Sequence, residues 1–189
     1  MKKLAVLFVF ITTAVCLQAQ TLTWDIKFLK GRERESVPIN GQIGMETGQE
    51  FLLAITPASD CFCYVLCYDS GRQIAVLFDG QLKGGSEKPL GPVKLTAPSG
   101  TETLYVIMSR TRQIKLEGLI QAQKKNPTAR QETNNLYREV VSLQRTTSGL
   151  GEPASSFIPG GGTNRGTTPD YVTRFTGKNM YVRPIIIHH

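Results

Sequence analysis

Three cysteines lie close together in the segment Cys61–Tyr68 (CFCYVLCY). Thiolates act as nucleophiles, bind zinc or form disulfides, so this cluster is a first candidate for chemistry. The segment is apolar and aromatic and indicates a β-strand, in which Cys63 and Cys67 would lie about 13 Å apart. That separation is too large for a shared metal ion or a disulfide. We therefore interpret Cys61, Cys63 and Cys67 as small buried residues on one strand face, with Val65. The opposite face would carry Phe62, Tyr64, Leu66 and Tyr68.

The two histidines, His188 and His189, are adjacent at the end of the sequence. A cysteine hydrolase needs an imidazole beside its thiolate. Adjacent residues of a strand point to opposite faces, so the two histidines cannot serve one nucleophile or one metal ion. We interpret them as a frayed terminus or the end of a strand. No spacing singles out an acid/base pair among Asp25, Asp60, Asp69 and Asp79. We therefore expect no catalytic residues, no metal site and no cofactor.

The composition is that of a globular chain with a mild basic bias. The sequence has 189 residues, of which 40% are hydrophobic and 20% are charged, and its net charge is +7. These proportions fit one domain with a modest core. Nucleic-acid binding needs a concentrated basic face with aromatic platforms, whereas here the positive charge is scattered. We expect a solvated surface and, as partner, an unidentified envelope protein or an anionic envelope surface, but no nucleic acid.

The first 20 residues have the layout of a secretory signal peptide. Lys2 and Lys3 form a positive start, residues 4–15 are almost entirely apolar, and small and polar residues follow. Cleavage after Ala19 or Gln20 fits this pattern best. The apolar run is shorter than the roughly 20 residues that span a bilayer, and no other run approaches that length. The sequence predicts a periplasmic or secreted protein without a membrane span.

Two other interpretations of the N-terminal segment stay open. The apolar run could be an N-terminal core helix of the folded protein, although the paired lysines favour a signal peptide. It could also be a lipoprotein signal that ends at Cys16, whose thiol would be acylated. Val15 is bulkier than the small residue that usually precedes such a cysteine. Soluble export is therefore the preferred prediction.

Most of residues 21–110 has the pattern of short strands. Leu22, Trp24, Ile26 and Phe28 alternate with polar residues, which indicates a half-buried strand. Closely spaced strands with short turns predict a mainly-β fold, an antiparallel, immunoglobulin-like β-sandwich. Residues 80–92, rich in Gly, Pro and Lys, are interpreted as a loop. The predicted strands are Leu22–Leu29, Phe51–Ile55, Phe62–Tyr68, Gln73–Phe78, Val93–Leu95 and Thr103–Ser109, and the predicted turns are Lys30–Glu35, Pro57–Asp60, Asp69–Gly71 and Pro98–Gly100.

The C-terminal part of the chain combines helices, a loop and further strands. Residues 111–147 are a predicted helical insert that packs on an open end or face of the sandwich. It consists of Arg112–Lys124 and Ala129–Arg145, the second begun by a Thr128–Gln131 capping box. Residues 148–170 are predicted as a flexible Gly/Pro-rich loop that lacks the context of a phosphate-binding loop. Residues 171–189 are predicted as strands that complete the domain. Because Pro184 lacks an N–H donor, the last strand is expected at an edge or a bulge.

Residues from Gly48 to about Arg110 carry a recurring strand pattern. Phe51–Ile55 is an apolar strand, Cys63–Gly71 is a tyrosine-bearing strand that ends in Asp-x-Gly, and Ile74–Phe78 ends in an aliphatic–Phe pair. A Pro-x-Gly-x-Glu step then opens the apolar segment Pro98–Ser109. This pattern resembles DUF4384, a bacterial domain of unknown function that occurs alone in exported proteins and beside kinase-like or caspase-like modules.

The resemblance implies a small β-rich, non-catalytic module and supplies no ligand or activity. It assigns Asp69, Gly71, Pro98 and Gly100 as turn residues. The sequence departs from the family at Asp79, where a proline usually follows the Leu-Phe pair.

Together, these features predict a non-catalytic interaction or structural module of the bacterial cell envelope. A small-molecule or glycan-binding β-sandwich is the alternative, with its site in the loops around Tyr64, Tyr68 and residues 80–92. A third hypothesis is a lipid-anchored envelope assembly factor. Acylation of Cys16 would decide in favour of this hypothesis. Tyr64 and Tyr68 are the candidate residues for contact with a partner or ligand.

Overall fold

The computed structural model describes residues 21–159 and 170–189. The predicted signal peptide, including Cys16, lies outside the described residues, as do residues 160–169 of the predicted loop. The described residues form eleven β-strands and two α-helices: β1 (Thr21–Lys30), β2 (Glu35–Val37), β3 (Ile43–Gly44), β4 (Glu50–Pro57), β5 (Cys61–Tyr68), β6 (Ile74–Leu82), β7 (Lys88–Lys94), β8 (Thr101–Ser109), α1 (Ile114–Lys125), α2 (Arg130–Thr147), β9 (Ser155–Phe157), β10 (Val172–Lys178) and β11 (Met180–His188).

The strands form two sheets, which confirms the predicted mainly-β sandwich. Sheet A has the order β7-β4-β1-β10-β9, and β2 also pairs with β1. Sheet B has the order β3-β11-β8-β5-β6. Neighbouring strands are antiparallel except for the parallel pair β3–β11. The hairpin predicted at Asp69–Gly71 joins β5 to β6.

The core between the sheets follows the period-two pattern of the strands. Leu22, Trp24, Ile26 and Phe28 of β1 are all buried, while the residues between them are half-buried. On β5, the inward face consists of Cys61, Cys63, Val65 and Cys67, as predicted.

The predicted helical insert packs on the outer face of sheet B. Alternate residues of β5, including Tyr64 and Leu66, pack against both helices. They form one cluster with Leu116 and Ile120 of α1 and with the buried apolar residues of α2. The protein is therefore three layers deep, sheet on sheet on helices. Within residues 21–159 and 170–189, no helix combines the length and apolar character needed to cross a bilayer.

The prediction of a loop at residues 80–92 is wrong at both ends, and only residues 83–87 lie between strands. Strand β6 continues to Leu82, and β7 begins at Lys88 and pairs with β4. The proline- and glycine-rich composition is compatible with a strand here because β7 is at the edge of sheet A, where missing N–H donors are tolerated. Gly91 has φ +118°, a backbone conformation that favours glycine.

Three more predictions need correction. The Thr128–Gln131 capping box does not form, because α2 begins one residue later with Ala129 as an N-cap that makes no side-chain cap hydrogen bond. The described part of the predicted 148–170 loop contains a 3-10 turn and strand β9, which pairs with β10. Lys30–Glu35 is a turn only at Gly31–Arg34, since Glu35 starts β2.

The last strand, β11, is an edge strand for most of its length. Its pairing with β8 spans Met180 to His188, and β3 lies outside it only at Ile187 and His188. The Val182 N–H points away from β8 and donates to Thr147 Oγ1 (3.3 Å). Because N–H groups alternate along a strand, the missing donor of Pro184 is on the same outward side, where the ladder does not need it.

Candidate functional site

A cleft of about 290 Å³ lies between α1 and strands β5 and β6. The strands contribute aromatic and backbone surface, and the helix and the loop before it contribute charged and amide groups. The cleft is lined by Phe62, Tyr64, Asp79, Gly80, Arg112, Glu117 and Gln121. It thus brings together Tyr64 and Gly80, two parts of the site that the sequence suggested.

Tyr64 is almost fully buried and anchors the start of α1. Its hydroxyl donates to Glu117 Oε1 (2.7 Å) and accepts from the backbone N–H of Gln113 (3.1 Å). Burial, the largest cause, and the hydrogen bond to Glu117 raise the pKa of Tyr64 to about 12, although the hydrogen bond from the Gln113 backbone acts in the opposite direction. At neutral pH the phenol is therefore protonated and fully hydrogen-bonded, so it holds the wall of the cleft in place.

The two carboxylates of the cleft are each neutralised by a cation. Arg112 donates to Glu117 from Nη2 (2.5 Å) and Nε (3.1 Å), and these hydrogen bonds, with that from Tyr64, lower the pKa of Glu117. Asp79 accepts from Lys124 Nζ (2.5 Å) and Gln121 Nε2 (3.3 Å). A ligand would therefore meet a cleft without strong net charge.

The available groups in the cleft are suited to recognition. The ring of Phe62 is an apolar wall, and the side chains of Gln121 and Arg112 have donors that reach solvent. The lining contains no cysteine, serine or histidine that could act as a nucleophile or base. Such a combination of an aromatic surface with amide and guanidinium donors fits a neutral, hydroxyl-bearing ligand.

Tyr68 does not take part in this cleft. Its ring stacks on Tyr137 of α2, with the centroids 4.3 Å apart, and Tyr105 packs against the edge of the same Tyr137 ring. The structure therefore separates the two candidate tyrosines: Tyr64 contacts α1, and Tyr68 contacts α2. Residues 88–92 are also apart from the cleft, because they belong to β7 in sheet A.

The three cysteines are buried free thiols. Burial is the largest cause that raises the pKa of Cys61 to about 11 and that of Cys67 to about 12, and it raises the pKa of Cys63 as well. Thiols with raised pKa values are poor nucleophiles at neutral pH. Among the described residues, no group of three or more His, Cys, Asp or Glu side chains could hold a metal ion.

The C-terminal histidines lie at the end of β11, which confirms the second of the two interpretations and not the frayed terminus. The His189 side chain is fully buried, with Nε2 3.1 Å from Glu102 Oε1 and Nδ1 3.1 Å from Thr47 Oγ1. The Cys67 thiol donates to the other oxygen of Glu102 (3.8 Å). The carboxylate thus stands between thiol and imidazole, and this order does not provide a base for the thiol.

Sequence reasoning did not identify Arg112, Glu117 or Gln121 as site residues. Arg112 precedes α1, Glu117 is in its first turn and Gln121 is near its middle, and the only local signal was the acidic residue in the first turn. Asp79 was noticed for a different reason, as the departure from the DUF4384 pattern.

In comparisons with protein-family models, curated proteins and solved structures, nothing matches this chain. The resemblance to DUF4384 stays a prediction.

Proposed function

We propose that the protein is an exported, non-catalytic interaction module of the bacterial cell envelope. The observation that carries the proposal is the free edge of sheet B. Strand β6 is nine residues long, contains neither proline nor lysine, and pairs only with β5 among the described strands. Ala75 is exposed, and Val76, Leu77 and Phe78 are half-buried.

Edge strands of this length are usually protected by charges, prolines or repeated bulges. β6 has one charged residue, Asp79, which pairs with Lys124. It has one register irregularity: Val65 pairs with Phe78 and Leu66 with Val76, so that Leu77 has no partner on β5. An extended segment of a partner can add to such an edge through main-chain hydrogen bonds, while pockets for alternate side chains set specificity. The proposed partner is another envelope protein with an extended segment.

A lysine on the edge strand tests this proposal. Ala75→Lys places a charge on β6 at an exposed position, and Ser142→Lys makes the same change of charge on the exposed side of α2. Tagged mature proteins are cross-linked in envelope fractions, and the captured proteins are identified. We expect a specific partner with the native chain and Ser142→Lys, and its loss with Ala75→Lys. Equal capture by both variants would contradict the edge as the docking site.

Export is tested by the intact mass of the native protein. A mature chain that begins after Ala19 or Gln20 supports the proposal, and a chain that retains Met1 contradicts it. An N-terminal diacylglyceryl group on Cys16 would instead support the lipid-anchored assembly factor.

The cleft beside α1 favours a second function, the binding of a small molecule or glycan. Its aromatic wall and its donors resemble those of sites that bind hydroxyl-bearing ligands. Calorimetric titration with mono- and oligosaccharides is the test. Gln121→Ala should weaken binding, and Gln131→Ala, an amide of α2 outside the cleft, should not. Binding that both variants retain would place the ligand elsewhere.

A further inference from the structure

A second cavity, of about 210 Å³, lies between the β5–β6 turn and the start of α2. Two arginines line it: Arg72 comes from the turn, and Arg130 is the first residue of α2. The other lining residues are Gly71, Gln73, Thr133 and Asn134. The cavity is therefore lined mainly by hydrogen-bond donors, and it has no acidic lining residue.

The two guanidinium groups are not neutralised within the described part of the chain. The ion pairs found there engage Arg112 with Glu117 and Arg174 with Asp25, but none includes Arg72 or Arg130. Two cations that share a small cavity repel each other, and an anion between them removes that repulsion. The cavity thus differs from the cleft beside α1, whose charges are balanced.

The acidic side chains of this region are engaged elsewhere. Asp69 Oδ1 accepts from the backbone N–H of Gln73 (2.7 Å) inside the turn. Glu102 is buried and faces His189 and the backbone N–H of Ser70. Glu132, in the first turn of α2, does not line the cavity. Among the described residues, no carboxylate lines the cavity or forms an ion pair with either arginine.

We propose that this cavity binds one phosphate group of an anionic envelope component. A guanidinium matches two phosphate oxygens at once, and two guanidiniums suit a group whose negative charge is spread over several oxygens. The side-chain amides of Gln73 and Asn134 are donors for the remaining oxygens. The volume is several times the roughly 30 Å³ of one water molecule in the liquid, so a tetrahedral oxyanion fits.

Lipid headgroups and soluble phosphate groups share this chemistry. That the phosphate belongs to the envelope rests on the proposed function, whereas the binding of phosphate by the cavity does not. The phosphate source is therefore decided by experiment, with inorganic phosphate as one probe and vesicles of phosphatidylglycerol or phosphatidylcholine as the others.

The test is a titration of the full mature chain with inorganic phosphate at low ionic strength, followed by heteronuclear NMR. Arg72→Gln and Arg130→Gln should each weaken phosphate binding about tenfold, because each removes a charge-assisted contact. The control is Arg138→Gln, which removes an exposed arginine of α2 that lies outside the cavity and forms no ion pair with the described residues. It should leave the affinity unchanged. A thermal melt of each variant shows that it is folded.

Cosedimentation with vesicles separates the two sources. Binding to phosphatidylglycerol but not phosphatidylcholine vesicles, lost in the two cavity variants, supports a lipid headgroup. Phosphate binding without vesicle binding supports a soluble phosphate group. Absence of saturable phosphate binding, or an equal loss in all three variants, would overturn the proposal. The β6 proposal would survive that outcome, because its test changes neither arginine.

Discussion

The layer between the two sheets and the layer between sheet B and the helices share one sheet but are filled differently. Between the sheets lie aliphatic side chains, stacked aromatic rings such as Phe28 on Phe51, and the three thiols. Between sheet B and the helices, aliphatic side chains are joined by four tyrosines and by three buried polar residues. The side chains of those polar residues, Gln123, Thr133 and Thr147, are hydrogen-bonded. The indole N–H of Trp24, in the first layer, has no hydrogen-bond partner among residues 21–159 and 170–189.

This difference shows how one sheet can serve two purposes. A layer of apolar side chains gains stability in proportion to the area buried and has little directional preference. A layer of hydrogen-bonded side chains holds its two elements in a defined position, because each unpaired buried group is costly. In this protein the cleft and the phosphate cavity both lie where helices meet sheet B. The purely apolar layer supports the fold, and the layer that also holds hydrogen-bonded side chains lies beside both candidate sites.

The largest expected effect comes from removing the end of β11. Truncation after Arg183 deletes Ile185 and Ile187, which are buried between the sheets, and each contributes about 1.5–3 kcal/mol. It also removes His189 from Glu102 and leaves that carboxylate buried and without its imidazole partner. With a total stability of about 5–15 kcal/mol for a typical domain, we expect loss of the cooperative fold. Thermal melts provide the measurement, and a truncated chain that melts like the full one would contradict the docking of β11.

A pair of leucine truncations compares the two layers directly. Leu53→Ala empties space between the sheets, and Leu136→Ala empties space under α2; both side chains are fully buried. We expect both in the range of about 2–5 kcal/mol, with Leu53→Ala costlier because two sheets held by strand ladders relax less than a helix with solvent behind it. Denaturant unfolding measures both. Ile114→Ala, at a side chain that is 71% exposed, is the control and should cost less than about 0.5 kcal/mol. If both substitutions lower the free energy of unfolding equally, the two layers do not differ in rigidity as proposed.

Alkaline pH should weaken the two layers in sequence. The pKa of Cys67 is raised from 9.0 to about 12, and that of Tyr64 from 10.0 to about 12, chiefly by burial. Each group favours folding below its unfolded pKa, because the folded state keeps it protonated. That stability is lost as pH rises toward the folded pKa. The free energy of unfolding should therefore fall from about pH 9, where thiols ionise in the unfolded chain. It should fall more steeply from about pH 10, where the tyrosines of the unfolded chain ionise as well.

Denaturant unfolding between pH 7 and 11 measures this dependence. Tyr64→Phe should be less stable at neutral pH, because the N–H of Gln113 loses its acceptor, but it should lose less stability above pH 10. A native protein whose stability stays constant to pH 11 would contradict the burial of both groups.

The smallest expected effect is that of the cysteines as packing residues. Cys63→Ala should cost about 1–2 kcal/mol, the loss of a small group from between the sheets. Elemental analysis of the same protein, purified without chelators, is expected to show no stoichiometric zinc. Bound zinc that Cys63→Ala removes would reverse the interpretation of all three thiols.

The sequence predicted the two faces of β5 correctly, because alternation along a strand is a local property. The same alternation identified the buried residues of β1, and helical periodicity identified the two helices. It failed at β7, whose composition is that of a loop. That segment is a strand because the edge of β4 is available for pairing. It failed also for β2, β3 and β9, which are two or three residues long and are defined only by their pairing with a longer strand.

The candidate sites were less accessible to sequence reasoning than the fold. Tyr64 was identified by its residue type, but its function in the cleft depends on Glu117 and on the backbone of Gln113. Tyr68 was grouped with Tyr64 because both share a strand face. Their separation follows from the two helices, which cover different parts of that face.

The sequence by itself determined the mainly-β class, the positions of most strands and helices, and which side chains face inward, since all of these follow from propensity and short-range periodicity. The tertiary structure decided the order of strands in each sheet, the burial of His189, and the placement of Arg72 and Arg130 at one cavity. These depend on contacts between residues that are far apart in the chain. Such contacts are set by how whole layers pack against each other, which no local pattern of residues records.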